Sequence, residues 1–345
     1  MNYLDSEILK SLMREEFVKR EVVIESVDHV IGNLIQTSLR GVDSHGIHLF
    51  PHYIRAVESG RINKCPKMKI NKTSDGTAVL DADHGFGHHA GAKAINLAIE
   101  YSKKSGIAAV NVKNSTHFAA AAYYGIMAAE SNCIGFAFTN ADALLRSARS
   151  AEPFFGTNPI CFSAPLKNED PFCLDMATSI VSFNKIKDHS LAGESIPNDW
   201  ATTEDGSPTT NPSEAKVLNP IGDYKGYGLA MMVDILCAVI TASPIGKDIL
   251  PMFTSLIESK RYISHFFMVL DISKFVKIDD FKDALQSMVD RARKQRPLAS
   301  DKPVLVPGDP EKITYKKRIV DGIPINDENI QNFYEISKEF KLTIL

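Results

Sequence analysis

The chain has 345 residues, 44% apolar and 23% charged, with 39 Lys plus Arg against 42 Asp plus Glu and a net charge of −3. That apolar share excludes a disordered chain, and the missing basic surplus argues against a duplex nucleic-acid binder. The length suggests two domains of roughly 150 residues, or one large core with a satellite.

The first residues put charges into every turn and lack the apolar run of a signal peptide. Leu4, Ile8, Leu9 and Leu12 recur at helical spacing. A second helix is expected over 26–40, with Val27, Val30, Ile31, Leu34, Ile35 and Leu39 on one face and Gly41 ending it. Asp43-Ser44-His45-Gly46 then forms a polar loop, and a short third helix through Tyr53 and Ile54 closes at Gly60. From about residue 76 strands and helices alternate. Strands are expected over 77–80, 107–112, 133–139, 159–164 and 172–174, with helices over 90–103 and 119–130. This pattern argues for an α/β layer with crossover helices. Residues 187–223 are rich in Pro and Gly and read as loop. A buried helix over 226–241, a strand over 265–270 and helices over 279–293 and 326–340 complete the chain. The longest apolar stretch, residues 228–242, contains Asp234 and is shorter than a bilayer needs, so no membrane partner is expected. Cys65, Cys133, Cys161, Cys173 and Cys237 are an odd number without a CxxC pair, which fits buried thiols in a reducing, cytoplasmic setting.

Five constellations carry candidate chemistry. Gly85-Phe86-Gly87-His88-His89-Ala90 fits the G-x-G-x-x-A dinucleotide pattern. The preceding strand ends several residues too early, however, and the next strand ends Val112-Lys113-Asn114 without an acid for the ribose, so a tight connection is the plainer reading. His45, His48 and His52 have helical metal-ligand spacing, but Pro51 interrupts the helix and no acidic ligand is near, so no metal is expected. His45, flanked by Asp43 and Ser44, is a candidate acid/base. A carboxylate such as Asp43 would hold its protonated form, and the Ser44 hydroxyl would orient a carbonyl oxygen. Asn114-Ser115-Thr116-His117 follows a strand end, where ligands gather in α/β sheets. Finally, Gly222-Asp223-Tyr224-Lys225-Gly226 opens the long apolar helix, a plausible phosphate cradle without Walker spacing.

Taken in order, 39–46 (Leu-Arg-Gly-Val-Asp-Ser-His-Gly), 114–118 (Asn-Ser-Thr-His-Phe), 156–159 (Gly-Thr-Asn-Pro), 174–179 (Leu-Asp-Met-Ala-Thr-Ser), 208–210 (Pro-Thr-Thr), 224–228 (Tyr-Lys-Gly-Tyr-Gly) and Pro307-Gly308 resemble the type-2 malate/L-lactate dehydrogenases over nearly the whole chain. That group includes ureidoglycolate, sulfolactate and diketogulonate dehydrogenases. The resemblance implies an α/β nicotinamide-binding fold without the Rossmann fingerprint, with helical N- and C-terminal segments. It divides the chain into a helical unit of residues 1–70 plus about 285–345 and a central cofactor-binding unit of 71–284. It also implies a homodimer, binding NAD or NADP near a subunit boundary, that interconverts small 2-hydroxy and 2-oxo acids, malate first.

Carried over by motif, His45 is the proton donor, with Ser44 beside it and His117 in the substrate pocket with Asn114. Phe172, Cys173, Leu174, Asp175, Met176 and Ala177 would contact the cofactor, together with Tyr224, Lys225, Pro307, Gly308 and Asp309. Where many relatives carry a carboxylate-gripping arginine this chain has Leu49, so Arg55, or Arg61, is expected to substitute. Ala119 stands where relatives often have glycine, and the chain runs a few residues short near 216 and 245. The alternatives are another 2-hydroxy acid of the group, a metal hydrolase built on His45, His48 and His52, or a cofactor-binding protein without turnover.

Overall fold

The computed structural model describes residues 2–336. Its centre is a seven-stranded sheet in the order Lys69–Lys72, Thr77–Asp81, Ile107–Ser115, Ile263–Asp271, Cys133–Thr139, Ile160–Ala164, Phe172–Met176. The sequence reading holds in outline, with one refinement. The only parallel pair in this sheet is Thr77–Asp81 with Ile107–Ser115, joined by the crossover helix Gly87–Ser105, and the remaining neighbours are antiparallel. The late strand Ile263–Asp271 inserts between Ile107–Ser115 and Cys133–Thr139.

Alanines and β-branched residues fill the layer between this sheet and the helices Gly87–Ser105 and Ala122–Glu130. Gly91 and Gly125 let the two helices approach the sheet. His265 bolts the sheet internally, its Nδ1 2.7 Å from Thr139 Oγ1 and its Nε2 2.8 Å from Ser115 Oγ. Its ring stacks on Phe118 at 4.6 Å.

A second core belongs to the chain ends. Helices Ser6–Lys19, Ile24–Leu39 and Phe50–Glu58 bury Phe17, Leu34, Phe50 and Tyr53 together with Phe333 from Asp327–Ile336, and Asn2–Leu4 pairs with Ile323–Ile325. Leu49 is 8% exposed inside this cluster. A four-stranded sheet and the helix Phe183–Ala192 form a third cluster around Leu145, Phe155 and Leu218. The expected helix over 326–340 is described only to Ile336.

The helix Tyr224–Cys237 departs from the expectation of full burial. Val233, Asp234 and Cys237 face the sheet, but Ile235 is 50% exposed and Ile240, in the 3-10 turn Val239–Thr241 that follows, is 62% exposed. Tyr224–Thr241 is, by length and composition alone, long and apolar enough to cross a membrane. Packing of its inner face onto the sheet, with Asp234 accepting the Gly246 amide at 3.1 Å, reads instead as a core helix with one uncovered side.

Candidate active site

A cavity of about 700 Å³ runs along the strand Phe172–Met176. Its walls come from the helix Ile24–Leu39, the loop carrying Ser44 and His45, the turn from His117 to Ala122, the segment Thr139-Asn140-Ala141, and the loop of Leu305 to Gly308. Stretches far apart in the chain thus meet at one surface.

The loop 43–45 is held from outside. Arg318 grips Asp43 through two hydrogen bonds of 2.6 and 2.8 Å and also donates to the Ser38 carbonyl. Asp43 is therefore spent on the loop and does not support the His45 charge, contrary to expectation. Ser44 fixes the ring rather than a substrate oxygen: its Oγ lies 2.9 Å from His45 Nδ1. The His45 ring faces His117 at a centroid distance of 5.7 Å.

His117 is fixed by Tyr53, whose hydroxyl lies 2.7 Å from Nδ1. Among the described residues the Tyr53 hydroxyl has no other acceptor, so its single proton goes to Nδ1 and the ring carries its own on Nε2. Burial depresses the pKa of both imidazoles, that of His117 furthest, with the charge of His45 adding to the effect. Both rings are neutral at physiological pH. Neither Nε2 has a hydrogen-bond partner among the described residues or is sealed from the cleft, so both are open to a ligand.

Gly85-Phe86-Gly87 starts the crossover helix for a reason unrelated to phosphate. A Cβ on Gly87 would lie 2.2 Å from the Thr116 carbonyl oxygen and 2.7 Å from that of His117. The Gly87 amide donates to Thr116 Oγ1 at 3.0 Å. The bare backbone lets the segment bearing His117 pass.

The expected cofactor residues divide. Cys173, Leu174, Asp175, Met176, Ala177, Pro307 and Gly308 line the cavity. Asp175 faces the cleft, partly open to solvent, and accepts the Ala122 amide at 2.7 Å, while its partial enclosure by the cleft walls raises its carboxyl above the usual range. Phe172 does not line the cavity; its ring packs edge-on against Phe162. Asp309 holds the loop from behind, accepting from Arg293 and, at 3.0 Å, from the Val306 amide. Tyr224 and Lys225 stand outside the cavity on the uncovered side of their helix.

The expected substrate residues fare differently. Asn114 donates to Asp81 at 2.9 Å and does not line the cavity. Arg55 pairs with Glu335 at 2.7 Å on the surface, because its position on the helix Phe50–Glu58 points away from the core. Arg61 is buried but bonds the Met252 and Leu256 carbonyls at 2.7 Å each. Leu49 is core, not pocket wall. The histidines proposed as a metal set do not converge: His52 packs on Phe253 at 5.1 Å while His45 faces His117. Among the described residues no group of three His, Cys, Asp or Glu side chains comes together. Sequence reading missed Tyr53 and Thr139-Asn140. The hydroxyl of an aromatic on an otherwise apolar helix face was the available signal for Tyr53, since a buried tyrosine needs a partner.

The cleft fits an extended dinucleotide. It is long, it bares backbone where Gly308 presses against Cys173 (a Cβ there would lie 3.2 Å from the Cys173 N and O), and the buried Arg40 Nε in its wall has no partner among the described residues.

Residues 4–333 match the family described as malate/L-lactate dehydrogenase. The chain is 36% identical over 324 residues to a malate dehydrogenase of Pyrococcus abyssi, covering 91% of this chain and 88% of that protein. It is 35% identical to an L-sulfolactate dehydrogenase of Methanocaldococcus jannaschii, over 90% of this chain and 89% of that one. In three dimensions it matches the malate dehydrogenase of Entamoeba histolytica with a TM-score of 0.93 at 29% identity, covering 99% of both chains. This chain belongs to the malate/L-lactate dehydrogenase family.

Proposed function

We propose that the protein is an NAD(P)-dependent oxidoreductase that interconverts a small 2-hydroxy acid and its 2-oxo acid, malate and oxaloacetate being the first pair to test. The observation that carries this reading is the neighbouring pair His45 and His117, their rings tilted with centroids 5.7 Å apart, at a cleft long enough for a dinucleotide. Malate and sulfolactate dehydrogenase relatives point to the same substrate class.

The bound nicotinamide supplies the hydride acceptor in the oxidation and the donor in the reverse reaction. His45, kept neutral by burial, takes the hydroxyl proton as the hydroxy acid is oxidised and returns it to the carbonyl oxygen in reduction. Ser44 fixes its ring through Nδ1, leaving Nε2 for the substrate. His117, with its proton on Nε2, hydrogen-bonds the same oxygen and stabilises the charge that develops on it. The bound acid's own carboxylate raises the proton affinity of both rings, which suits the reductive direction. Gly308 and the strand Phe172–Met176 give the cofactor a close backbone surface.

The uncovered side of Tyr224–Cys237, continued by Ile240 at 62% exposure, supports a homodimer. Tyr224 and Lys225 lie on that side, one helical turn from Ile221, which lines the cleft. All five cysteines are free, in keeping with a cytoplasmic enzyme.

The test is a change in nicotinamide absorbance with oxaloacetate, pyruvate and bulkier 2-oxo acids, alongside light scattering for the dimer. No turnover of any 2-oxo acid would sink the reading. Stoichiometric zinc, with activity lost to a chelator, would favour the hydrolase instead.

A further inference from the structure

Apart from the two histidines, the charged side chains in the cleft wall are Arg40, Asp175 and Glu311. Arg40 is already engaged. Its Nη2 donates to Asp170 at 3.2 Å, and its guanidinium lies over the Tyr315 ring at 5.3 Å. Asp175 is anchored by the Ala122 amide at 2.7 Å. Glu311 has no hydrogen bond or ion pair among the described residues, although it sits in the first turn of the helix Asp309–Asp321 and faces the cleft. The two acids are close enough that the charge of Glu311 raises the Asp175 carboxyl.

Their place along the cleft is fixed by the backbone. Gly308, at the start of the Glu311 helix, presses on Cys173, so Glu311 stands beside the Cys173 end of the strand Phe172–Met176. The histidine loop lies past the other end, where the Ser44 carbonyl accepts from Asn184 at 3.4 Å. A dinucleotide with its nicotinamide at the histidines therefore carries its adenosine half towards Glu311.

We propose that this cleft selects NAD(H) over NADP(H), with Glu311 accepting hydrogen bonds from the adenosine ribose hydroxyls and Glu311 and Asp175 together excluding a 2′-phosphate. The inference rests on the dehydrogenase reading and adds the identity of its cofactor. An unpartnered carboxylate is a two-oxygen acceptor matched to a ribose diol, whereas a phosphate monoester carries a charge of roughly −1.5 to −2 and demands cations. The one arginine in the wall among the described residues is already paired with Asp170, so an added 2′-phosphate would meet like charge at short range in a partly desolvated cleft.

The experiment is a fluorescence titration of the purified, full-length protein with NADH and with NADPH, no substrate present. The wild type is expected to bind NADH at least about tenfold more tightly. Glu311→Lys should bring the two affinities within about threefold or invert them, and Glu311→Gln should weaken NADH several-fold while leaving the melting temperature unchanged. Should Glu311→Lys not fold, the Glu311→Gln variant decides: an unchanged NADH affinity overturns the proposal. Equal wild-type affinities, or an unaltered ratio in a folded Glu311→Lys, overturn it as well. If 2-oxo acids are nevertheless turned over, only the cofactor assignment falls. If neither nucleotide binds, the dehydrogenase reading falls with it.

Discussion

Tyr53 and His117, 64 residues apart in the chain, are joined by a 2.7 Å hydrogen bond that sets which nitrogen of the histidine faces the cleft. Tyr53 is buried in the helical core at 1% exposure, while His117 closes the end of a central strand. The bond ties the substrate side of the molecule to its sheet. Tyr53→Phe keeps the packing and frees the ring to adopt the other tautomer. Turnover should fall about 10- to 100-fold, with dinucleotide affinity unchanged. Steady-state kinetics beside a fluorescence titration checks this; a loss confined to cofactor binding would move His117 out of the chemistry.

His45→Ala should lower turnover by roughly 10²- to 10⁴-fold, as for a lost general acid/base, and leave cofactor affinity nearly intact. Unchanged turnover would transfer the proton role to His117.

The depressed pKa of His45 predicts the pH profile. Oxidation of the hydroxy acid requires neutral imidazole, so kcat/KM in that direction should hold as pH falls through the ordinary histidine range near 6.5 and drop only below it. Reduction requires the protonated ring and should speed up as the pH is lowered. An oxidation limb centred above pH 7 would contradict the assignment of a desolvated histidine as base.

Gly87→Ala would place a methyl 2.2 Å from the Thr116 carbonyl oxygen, a contact that only backbone movement can relieve. The expected cost is roughly 1–3 kcal/mol, seen as a lower melting temperature. Turnover should fall with it, because the displaced segment carries His117. A stable, fully active variant would show that the helix start can retreat.

Glu169 links the cofactor strand's preceding turn to two helices. It accepts from Arg293 at 2.7 and 2.9 Å, from Lys312 at 2.8 Å and from Gln286 at 3.0 Å. Those hydrogen bonds, that with Arg293 foremost, hold its carboxyl well below the usual range. A folded-state pKa below the unfolded one means the contribution is complete above the unfolded pKa of about 4.3 and is lost as pH falls through the folded value. Glu169→Gln should therefore cost about 1–3 kcal/mol at neutral pH, and its deficit against wild type should shrink below pH about 4. A deficit constant from pH 7 to 3 in chemical denaturation would argue for a packing effect.

Periodicity located most of the elements, because burial on one face imposes its period directly on the sequence, but it missed the helices Phe183–Ala192 and Asp309–Asp321 and the strand Lys69–Lys72. The strand Cys133–Thr139 has the bounds expected, and Gly87–Ser105 brackets the expected 90–103. The helix expected from 119 begins only at Ala122, since Ala119 adopts a positive φ of 60° and Ala120 and Ala121 turn along the cleft wall. The motif residues Ser44, His45, His117 and the strand through Asp175 were legible as a set and meet at one cavity.

What the sequence by itself determined was this inventory of local structure and chemically capable side chains. Which of them meet was decided by tertiary structure, because contact depends on strand order and helix rotation, not on separation along the chain. Arg55 was the nearest cation to Leu49 in sequence, yet a turn of helix carries it to the surface and Glu335. Asp43 adjoins the histidine loop but answers to Arg318, 275 positions away. Glu311 and Asp175 are unremarkable in sequence; they share a cleft only because Gly308 packs its helix against the edge strand.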